Sequence, residues 1–511
     1  MTAAIHAIKT WPKVKMAAIA LHYVMLGGII VAGALIRVTG LNRQSLWFDE
    51  ADVVVRAQRP LGEVLRTFTA EGENGPVYNL FLWLWIRVAG VSEIAVRFPS
   101  AVAGAIAIPL IYMLGKRIAG RTAGLVAAGL LAVNPYHVWY SQEAKMYAFV
   151  VVLSLLSSLV LIEALNRNTW STWIPYIVIT SLMFYTHVTT VLIFVAQSLF
   201  VLATLKTWQG RRRRWLISVA ALTLPYIPIA LWAWTVVGGG ARLWQPAVTL
   251  WDAVRIVGVK FAANRSDLVI EQRSSILLLL LALCGAGTLL AKQRWRASGI
   301  FLLALTVIPI LGIYLVSIRN SVFSDRYVIV ALPTYLILAA AGVVVLWRSR
   351  WLWPVGVVAL VMMTSYSWAT LRDVNLSTDA EKEDWRSAYA LIADQAQPDD
   401  VILLHPGYML TTYQYYSQRD ARLEPYEVAT IPTFRVNWLD ERIMVEQIER
   451  QVGQPERIWF VESPDRILPE DPDLTLERWL TGHSDTLLER QVNGVHITLF
   501  EIDWNEYDPS S

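Results

Sequence analysis

Apolar segments of nearly bilayer length recur along the first 375 residues, and they constrain the fold more than any other feature of the chain. A helix needs about 20 apolar residues to cross the hydrocarbon core of a bilayer. Hydrophobic side chains make up 55% of the sequence, which exceeds their share in soluble globular proteins. The sequence therefore predicts a polytopic α-helical membrane protein. We expect eleven spans, at residues 16–36, 98–115, 122–138, 146–165, 170–186, 188–205, 215–237, 275–291, 298–317, 327–347 and 351–371.

The charge of the chain is divided near residue 375. Residues 376–511 carry 27 acidic and 11 basic side chains, whereas the preceding part carries 14 acidic and 33 basic ones. Short apolar runs and helical patterns alternate in the acidic part, which is typical of a small α/β domain. We therefore predict a transmembrane catalytic domain at 1–375 and an extracytoplasmic α/β domain at 376–511. The expected strands lie at 401–404, 457–461 and 496–500, and the expected helices at 385–395 and 475–481.

The positions of Lys and Arg predict the orientation, because these residues accumulate on the cytoplasmic side. Basic clusters lie at the N-terminus and at residues 116–121, 211–214, 292–296 and 348–350. All of them fall inside if residues 76–90, an apolar segment of about 15 residues, form a juxtamembrane helix that does not cross. We therefore expect the first loop and the acidic region on the outer face of a cell membrane, that of a bacterium. The arginine run is read as a topology signal, so no nucleic-acid partner is expected.

Two adjacent carboxylates, Asp49 and Glu50, lie shortly after the first apolar segment. A carboxylate at a membrane boundary can accept the proton of an acceptor hydroxyl as that hydroxyl attacks an electrophilic carbon. The alternative is a solvated loop tip whose neighbours, Trp47 and Phe48, belong to the interfacial aromatic belt. The residue types alone leave both readings open.

Further polar and aromatic residues fall on the expected outer face, next to membrane ends. Arg326 and Lys145 lie at the depth of a lipid head group, where a cation can bind phosphate. Each has a simpler interpretation, since Arg326 can be a snorkelling anchor and Lys145 can pair locally with Glu143. The remaining members of this set are Glu73, Tyr78, Arg97, Tyr140, Tyr147, His187 and Tyr327.

A carboxylate and a histidine can together hold a divalent cation, and Glu73 with His187 is the candidate pair. A histidine at the end of a span is otherwise an ordinary hydrogen-bonded residue. The sequence thus leaves a metal cofactor open and implies no other cofactor.

Six motifs in order carry a resemblance to a known group of enzymes. The motifs are Trp47-Phe48-Asp49-Glu50-Ala51, Gly75-Pro76-Val77-Tyr78, Arg97-Phe98-Pro99-Ser100, Ser141-Gln142-Glu143-Ala144-Lys145-Met146-Tyr147, Tyr185-Thr186-His187 and Asp325-Arg326-Tyr327. With these motifs, the chain resembles the GT-C glycosyltransferases related to protein O-mannosyltransferases and lipid A aminoarabinose transferases, over roughly residues 16–345.

The resemblance implies a polyprenyl-phosphate monosaccharide donor and an inverting transfer on the outer face of the membrane. It implies that Asp49 is the base with Glu50 beside it, and that Arg326 and Tyr327 lie near the donor phosphate. Glu73 and His187 match positions where aminoarabinose-transferase relatives hold a metal. The chain departs from those relatives at Asn74-Gly75 and at Phe323, where they place further polar ligands.

We therefore expect an integral membrane glycosyltransferase in which Arg326, assisted by Lys145 or Arg97, stabilises the departing phosphate. Tyr78, Tyr140, Glu143 and Tyr147 are the expected substrate-binding residues. The acceptor is a hydroxyl of a protein, a glycolipid or a polysaccharide.

The alternative function is a transporter or flippase for a lipid-linked sugar. A transporter is expected to place ionisable residues near the bilayer midplane, whereas those of this chain cluster at the outer ends of spans. A third reading is a membrane-anchored binding protein whose acidic domain carries the function.

Overall fold

The chain forms two compact units in the computed structural model. The membrane unit comprises Met1–Gly40, Gly62–Phe81 and Arg97–Leu376, and the α/β unit comprises Leu41–Leu61, Leu82–Val96 and Ser377–Ser511. The domain boundary expected between 375 and 376 stays a prediction. The structure describes residues 2–69, 74–227, 248–264, 269–320, 322–376, 382–431, 441–464, 471 and 474–504.

Up to residue 376, the described part of the chain contains helices and no strand. They are α1 (Thr2–Val38), α2 (Phe48–Gln58), α3 (Leu61–Arg66), α4 (Pro76–Ala89), α5 (Glu93–Ile118), α6 (Arg121–Ala132), α7 (Pro135–Ser141), α8 (Tyr147–Arg167), α9 (Trp170–Thr186), α10 (Val191–Ala203), α11 (Arg212–Thr223), α12 (Leu250–Ala263), α13 (Val269–Ala291), α14 (Arg296–Asn320), α15 (Leu332–Arg348) and α16 (Trp353–Leu376).

Seven helices among the described residues are long and apolar enough to cross a membrane, which confirms the expected polytopic helical fold. Two shorter apolar helices cover Arg121–Ala132 and Val188–Ala203. The count of eleven spans stays a prediction, because much of the expected span 215–237 lies outside the described residues. The seven long helices cover Ile19–Val38, Glu93–Ile118, Tyr147–Arg167, Gln272–Ala291, Gln293–Ile318, Asp325–Arg348 and Trp353–Arg372.

One expected span needs correction, because the segment 122–138 is not a single helix. Helix α6 ends at Ala132, and α7 begins at Pro135. The Asn134 side chain accepts a hydrogen bond of 2.9 Å from the His137 backbone N–H and so caps the new helix. Proline favours the first position of a helix, where its missing N–H costs nothing. An Asn-Pro pair inside an apolar run therefore starts a second helix.

The segment Asp325–Arg348, which contains helix α15, forms the centre of the membrane unit. Of its most apolar 18-residue stretch, 94% is buried. Two glycines let it approach α13 closely. A Cβ atom built on Gly285 would lie 1.9 Å from the Leu338 carbonyl oxygen, and one on Gly342 would lie 2.0 Å from the Leu281 carbonyl oxygen. Small residues at a helix interface permit such backbone contact, which replaces hydrophobic burial as the source of attraction inside lipid.

The α/β unit contains a five-stranded sheet with the order β2-β1-β3-β5-β4. Strands β2, β1 and β3 are parallel, and β5 runs antiparallel to both β3 and β4. The strands are β1 (Val401–His405), β2 (Glu427–Thr430), β3 (Arg457–Glu462), β4 (Ser484–Val492) and β5 (Val495–Ile502). The described helices of this part are α17 (Trp385–Gln395), α18 (Leu410–Ser417), α19 (Glu441–Val452) and α20 (Thr475–His483).

The three expected strands are present as β1, β3 and β5, and the two expected helices as α17 and α20. The sequence did not reveal β2 and β4. Both are edge strands with few buried side chains, so they lack the apolar runs by which the inner strands are found.

Candidate active site

Asp49 and Glu50 lie in the first turn of α2, inside the α/β unit. Carboxylates are favoured there, because the helix dipole leaves the N-terminus partly positive. The Phe48 ring packs edge-on against Tyr408, with centroids 4.7 Å apart. This contact fixes the start of the helix on the turn that follows β1.

The two carboxylates have different surroundings. Glu50 is fully buried, and its Oε2 atom lies 3.2 Å from the Lys382 ammonium nitrogen. Asp49 is only partly buried. A buried carboxylate requires a charged partner, and Lys382 supplies one from the segment beyond the membrane helices. Glu50 is therefore an anchoring group, and Asp49 is the more accessible of the pair.

Further hydrogen bonds within the α/β unit hold the segment that leads into α2. The Leu46 N–H donates to the Tyr416 hydroxyl at 2.7 Å, and that hydroxyl donates to Glu93 at 2.8 Å. The Ser45 hydroxyl donates to the Glu383 carbonyl at 2.7 Å. The expected base thus follows directly after a loop that is tied to α18 and to the residues preceding α17.

The membrane unit gathers a second group of expected residues around the turn that begins at Asp325. The Tyr136 hydroxyl donates to the Asp325 carbonyl at 2.7 Å, and the Tyr140 hydroxyl donates to its carboxylate at 3.1 Å. Burial, followed by the nearby Asp325 charge, raises the pKa of Tyr140 well above its usual value. Its hydroxyl therefore remains a hydrogen-bond donor and holds the residue that precedes Arg326.

A row of aromatic rings continues from this turn to His187. The Tyr140 and Tyr147 centroids are 5.0 Å apart, Tyr147 and His187 are 6.0 Å apart, and His187 and Tyr327 are 5.3 Å apart. The Arg326 guanidinium carbon lies 5.7 Å from the centroid of the Tyr327 ring. This row of residues therefore combines apolar ring faces with a cationic group and with hydrogen-bonding groups.

The tautomer of His187 follows from its contacts. Its Nδ1 atom accepts a hydrogen bond of 3.3 Å from the Thr189 backbone N–H, which can only donate. The proton of the neutral ring is therefore on Nε2. That atom is buried and has no hydrogen-bond partner in the described part of the chain. Burial, with Arg326 and Lys145 nearby, lowers the pKa of His187 to about 3.

The other residues of this set lie close to the same place. Lys145 and Glu143 are buried in the segment between α7 and α8. The Ser100 hydroxyl donates to the Lys145 carbonyl at 3.0 Å and lies 3.5 Å from the Tyr78 hydroxyl. Arg97, one helical turn before Ser100, is buried as well.

Not every expected residue belongs to this group. Asp49 and Glu50 lie in the α/β unit, and Glu73 lies outside the described residues. In the part of the chain that the structure describes, no three His, Cys, Asp or Glu side chains are placed to hold a metal ion.

One buried cation, Arg37, was not recognised from the sequence. Its guanidinium donates to the carbonyls of Gly33, Leu131 and Ala132 and to His137 Nδ1, at 2.8 to 2.9 Å. It thus provides hydrogen-bond donors to the C-terminal carbonyls of α6 and holds α7 through His137. A single arginine at the end of an apolar run is typical of a snorkelling anchor, and only the fold shows the contacts.

Known proteins are similar to this chain in sequence or in fold. The family described as dolichyl-phosphate-mannose-protein mannosyltransferase matches residues 73–232. The structure of ArnT from Cupriavidus metallidurans in the apo state superposes with a TM-score of 0.57 and 14% identity, covering 94% of this chain and 98% of that one. The chain has the GT-C glycosyltransferase fold. The resemblance carried by the six motifs is confirmed.

Two further structures with this fold were solved with molecules bound. ArnT from the same organism bound to undecaprenyl phosphate matches with a TM-score of 0.52 and 13% identity, over 92% of this chain and 97% of that one. The Archaeoglobus fulgidus oligosaccharyltransferase in complex with Zn and sulfate matches with a TM-score of 0.55 and 11% identity. The match covers 92% of this chain and 72% of that one. None of the curated proteins is significantly similar to this chain in sequence.

Proposed function

We propose that this GT-C protein is an integral membrane glycosyltransferase that moves a monosaccharide from a polyprenyl-phosphate donor to an acceptor hydroxyl. The family match over residues 73–232 and the ArnT structure with undecaprenyl phosphate support this donor class. The acceptor is a hydroxyl-bearing protein, glycolipid or polysaccharide.

The observation that carries the proposal is the character of the groups around His187. Its Nε2–H is a buried donor, and Arg326 and Lys145 are close enough to lower the pKa of its ring. Two basic side chains and a neutral N–H donor suit an anion with several acceptor oxygens. A lipid phosphate has this chemistry and remains near the membrane boundary. These three residues therefore bind the donor phosphate and stabilise it as it departs, with Tyr327 packed against His187 and Arg326.

The same observations argue against a divalent metal at His187. A metal needs the lone pair of a ring nitrogen, but Nε2 carries the proton while Nδ1 accepts from Thr189. The charges of Arg326 and Lys145 would repel a metal cation. The surroundings of His187 therefore do not suit a metal. No step of the reaction is assigned to the metal expected from His187 and Glu73, which lies outside the described residues.

Asp49 is the proposed base. Its carboxylate accepts the acceptor proton while the acceptor oxygen bonds to the anomeric carbon from the side opposite the phosphate. The bond between the anomeric carbon and the phosphate oxygen breaks, and the phosphate keeps the electron pair. The anomeric configuration is inverted. Glu50 remains paired with Lys382 and takes no proton from the acceptor.

The test is transfer of radiolabelled sugar from a polyprenyl-phosphate donor by purified protein. Asp49→Asn should lower kcat by 100-fold or more, roughly the contribution of a positioned base. Asp52→Asn is the matched control, because Asp52 lies on the same helix and forms an i,i+4 pair with Arg56 at 2.9 Å. Full activity of Asp49→Asn would remove this residue from the mechanism. A flippase would move the intact donor across vesicles without releasing sugar.

The orientation is proposed as well, with the α/β unit on the outer face. Reporter fusions after residues 213 and 375 should report cytoplasmic and outer locations, respectively. Two fusions on the same side would contradict this topology.

A further inference from the structure

The strand order of the α/β unit reverses at β1, so the carboxyl ends of β1 and β3 lie side by side at a topological switch point. The chain passes from β1 to β2 on one side and then crosses to β3 on the other side of β1. Ligands of open parallel sheets bind outside the carboxyl ends of strands at such a reversal. His405 ends β1 and Glu462 ends β3, and the two residues are register partners. Their side chains therefore lie at this reversal, which we call the crevice.

Both side chains are buried with polar atoms left unsatisfied. His405 is 1% exposed, and neither of its ring nitrogens has a hydrogen-bond partner among the described residues. The same holds for Oε2 of Glu462, which is 6% exposed. An unsatisfied buried polar group costs about 1–3 kcal/mol, and native proteins rarely leave several together. Three such atoms on adjacent strands indicate that a polar ligand normally completes the site.

The neighbours of this pair are titratable groups on β5 and around the start of α20. His496 Nδ1, on β5, lies 3.5 Å from Glu462 Oε1. Asp471 Oδ2 lies 3.9 Å from His405 Nε2, and it also accepts from the Leu476 N–H of α20. The His405 ring stacks on Phe460, which shares the same face of β3 as Glu462.

The charge states at this edge restrict the ligand. Burial, followed by the charges of Glu477 and Asp471, raises the pKa of Glu462 to about 8. Burial lowers the pKa of His405 to about 4, with Asp471 acting in the opposite direction. Both groups are therefore uncharged at neutral pH, and each offers a donor and an acceptor. The nearby charges are carboxylates, which repel phosphate and other anions.

We propose that the crevice at His405 and Glu462 binds the ring of a neutral sugar. Sugar hydroxyls donate and accept hydrogen bonds at fixed spacing, as these two uncharged groups require. A metal ion suits the site less well, because the described residues hold no group of three ligands in metal-binding geometry.

The position of the crevice makes the sugar part of the acceptor, a step that rests on the proposed function. Tyr408, three residues after His405, packs against Phe48 of α2. The Ser463 hydroxyl, next to Glu462, donates to Glu383 at 2.8 Å, and the preceding Lys382 pairs with Glu50. The carboxyl ends of both strands are thus linked to the helix that carries Asp49.

Binding can be measured on the 511-residue chain without any transfer reaction. The chain has 7 histidines, so histidine-specific isotope labelling gives few ring signals to assign by NMR. Methyl α-D-mannopyranoside and methyl β-D-glucopyranoside are the probes, and inorganic phosphate is the anionic comparison. At least one glycoside should shift the His405 and His496 signals together and saturably, in the millimolar range. Phosphate should leave both signals in place.

Matched variants separate the crevice from a general effect on the fold. Glu462→Leu should weaken glycoside binding at least tenfold, whereas Glu462→Gln keeps an uncharged donor and acceptor and should retain it. His405→Phe should abolish it, and His483→Phe, whose native ring stacks on Trp479 in α20, should leave it unchanged. If His405→Phe does not fold, the two Glu462 variants decide the question.

Several outcomes would overturn the sugar site. These are the absence of a saturable shift with both glycosides, a response to phosphate alone, or equal binding by Glu462→Leu and wild type. Binding without any sugar transfer would contradict the proposed function and leave the crevice intact. Transfer without glycoside binding would support the proposed function and overturn the sugar site.

Discussion

Glu50 Oε2 and Lys382 Nζ lie 3.2 Å apart, although 332 residues separate them in the chain. Both side chains are buried, with exposures of 0% and 9%. The pair joins the helix that carries the proposed base to the segment that follows the last membrane helix. It also divides the two adjacent acids of the first loop into an anchored one and an accessible one.

The first prediction concerns this ion pair. Lys382→Met leaves a buried carboxylate without its cation and should destabilise the protein by about 3–5 kcal/mol. Glu50→Gln with Lys382→Met removes both charges and should restore much of the loss. Thermal unfolding in detergent measures the four members of the cycle. Additive shifts in Tm would show that the two side chains do not interact.

The same cycle separates anchoring from catalysis. Glu50→Gln should retain transfer activity, and its pH profile should match that of wild type, because Glu50 does not accept the proton. An inactive but stably folded Glu50→Gln variant would make Glu50 the base.

The second prediction concerns His187. Because its protonated Nε2 faces the expected phosphate, His187→Phe should weaken binding of undecaprenyl phosphate about tenfold, the effect of losing one hydrogen bond to a charged group. A chelator such as EDTA should leave both binding and activity unchanged. Loss of activity with EDTA and its recovery with Zn²⁺ would instead assign His187 to a metal.

The third prediction concerns Arg37. Its four hydrogen bonds cap α6 and hold α7, the helix whose Tyr136 and Tyr140 hydroxyls donate to Asp325. Arg37→Met should lower stability by about 3 kcal/mol or more, because it leaves several buried carbonyls unsatisfied. Arg117→Met is the control, since Arg117 is 40% exposed in its pair with Glu163. Equal shifts in Tm for the two variants would contradict this role.

The fourth prediction concerns the pH dependence of stability. The folded state raises the pKa of Glu462 from 4.5 to about 8, so it binds a proton that the unfolded chain releases. The stability due to this group is present below pH 4.5 and is lost as the pH rises through 8, at up to about 1.4 kcal/mol per pH unit. His405, whose pKa falls from 6.5 to about 4, opposes this trend only below pH 6.5.

Stability should therefore fall between pH 6.5 and 8. The groups facing Glu462 are His405 of β1, His496 of β5, Asp471 and Glu477. In Glu462→Gln the decline should disappear, whereas Glu489→Gln, at an exposed position of β4, should behave as wild type. An unchanged decline in Glu462→Gln would place its origin elsewhere. The measurement is Tm against pH.

Local sequence signals predicted most elements of the fold. Long apolar runs became helices because a membrane offers the backbone no partner but itself. Continuous apolar runs became the inner strands of the sheet, since those are covered on both faces. Two of the differences were also local in origin. Asn134-Pro135 divided one expected span into two helices. The edge strands β2 and β4 were not predicted, because their mostly exposed side chains form no apolar pattern.

By itself, the sequence determined the membrane helices, the inner strands and the set of polar residues at the ends of spans, because these depend on neighbours along the chain. Tertiary structure decided what those residues do. Lys382 neutralises Glu50, Thr189 fixes the proton of His187, and His405 meets Glu462 across two strands. The ion pair of Glu50, the tautomer of His187 and the burial of His405 and Glu462 depend on which atoms the fold brings into contact. Residue type and spacing cannot specify them.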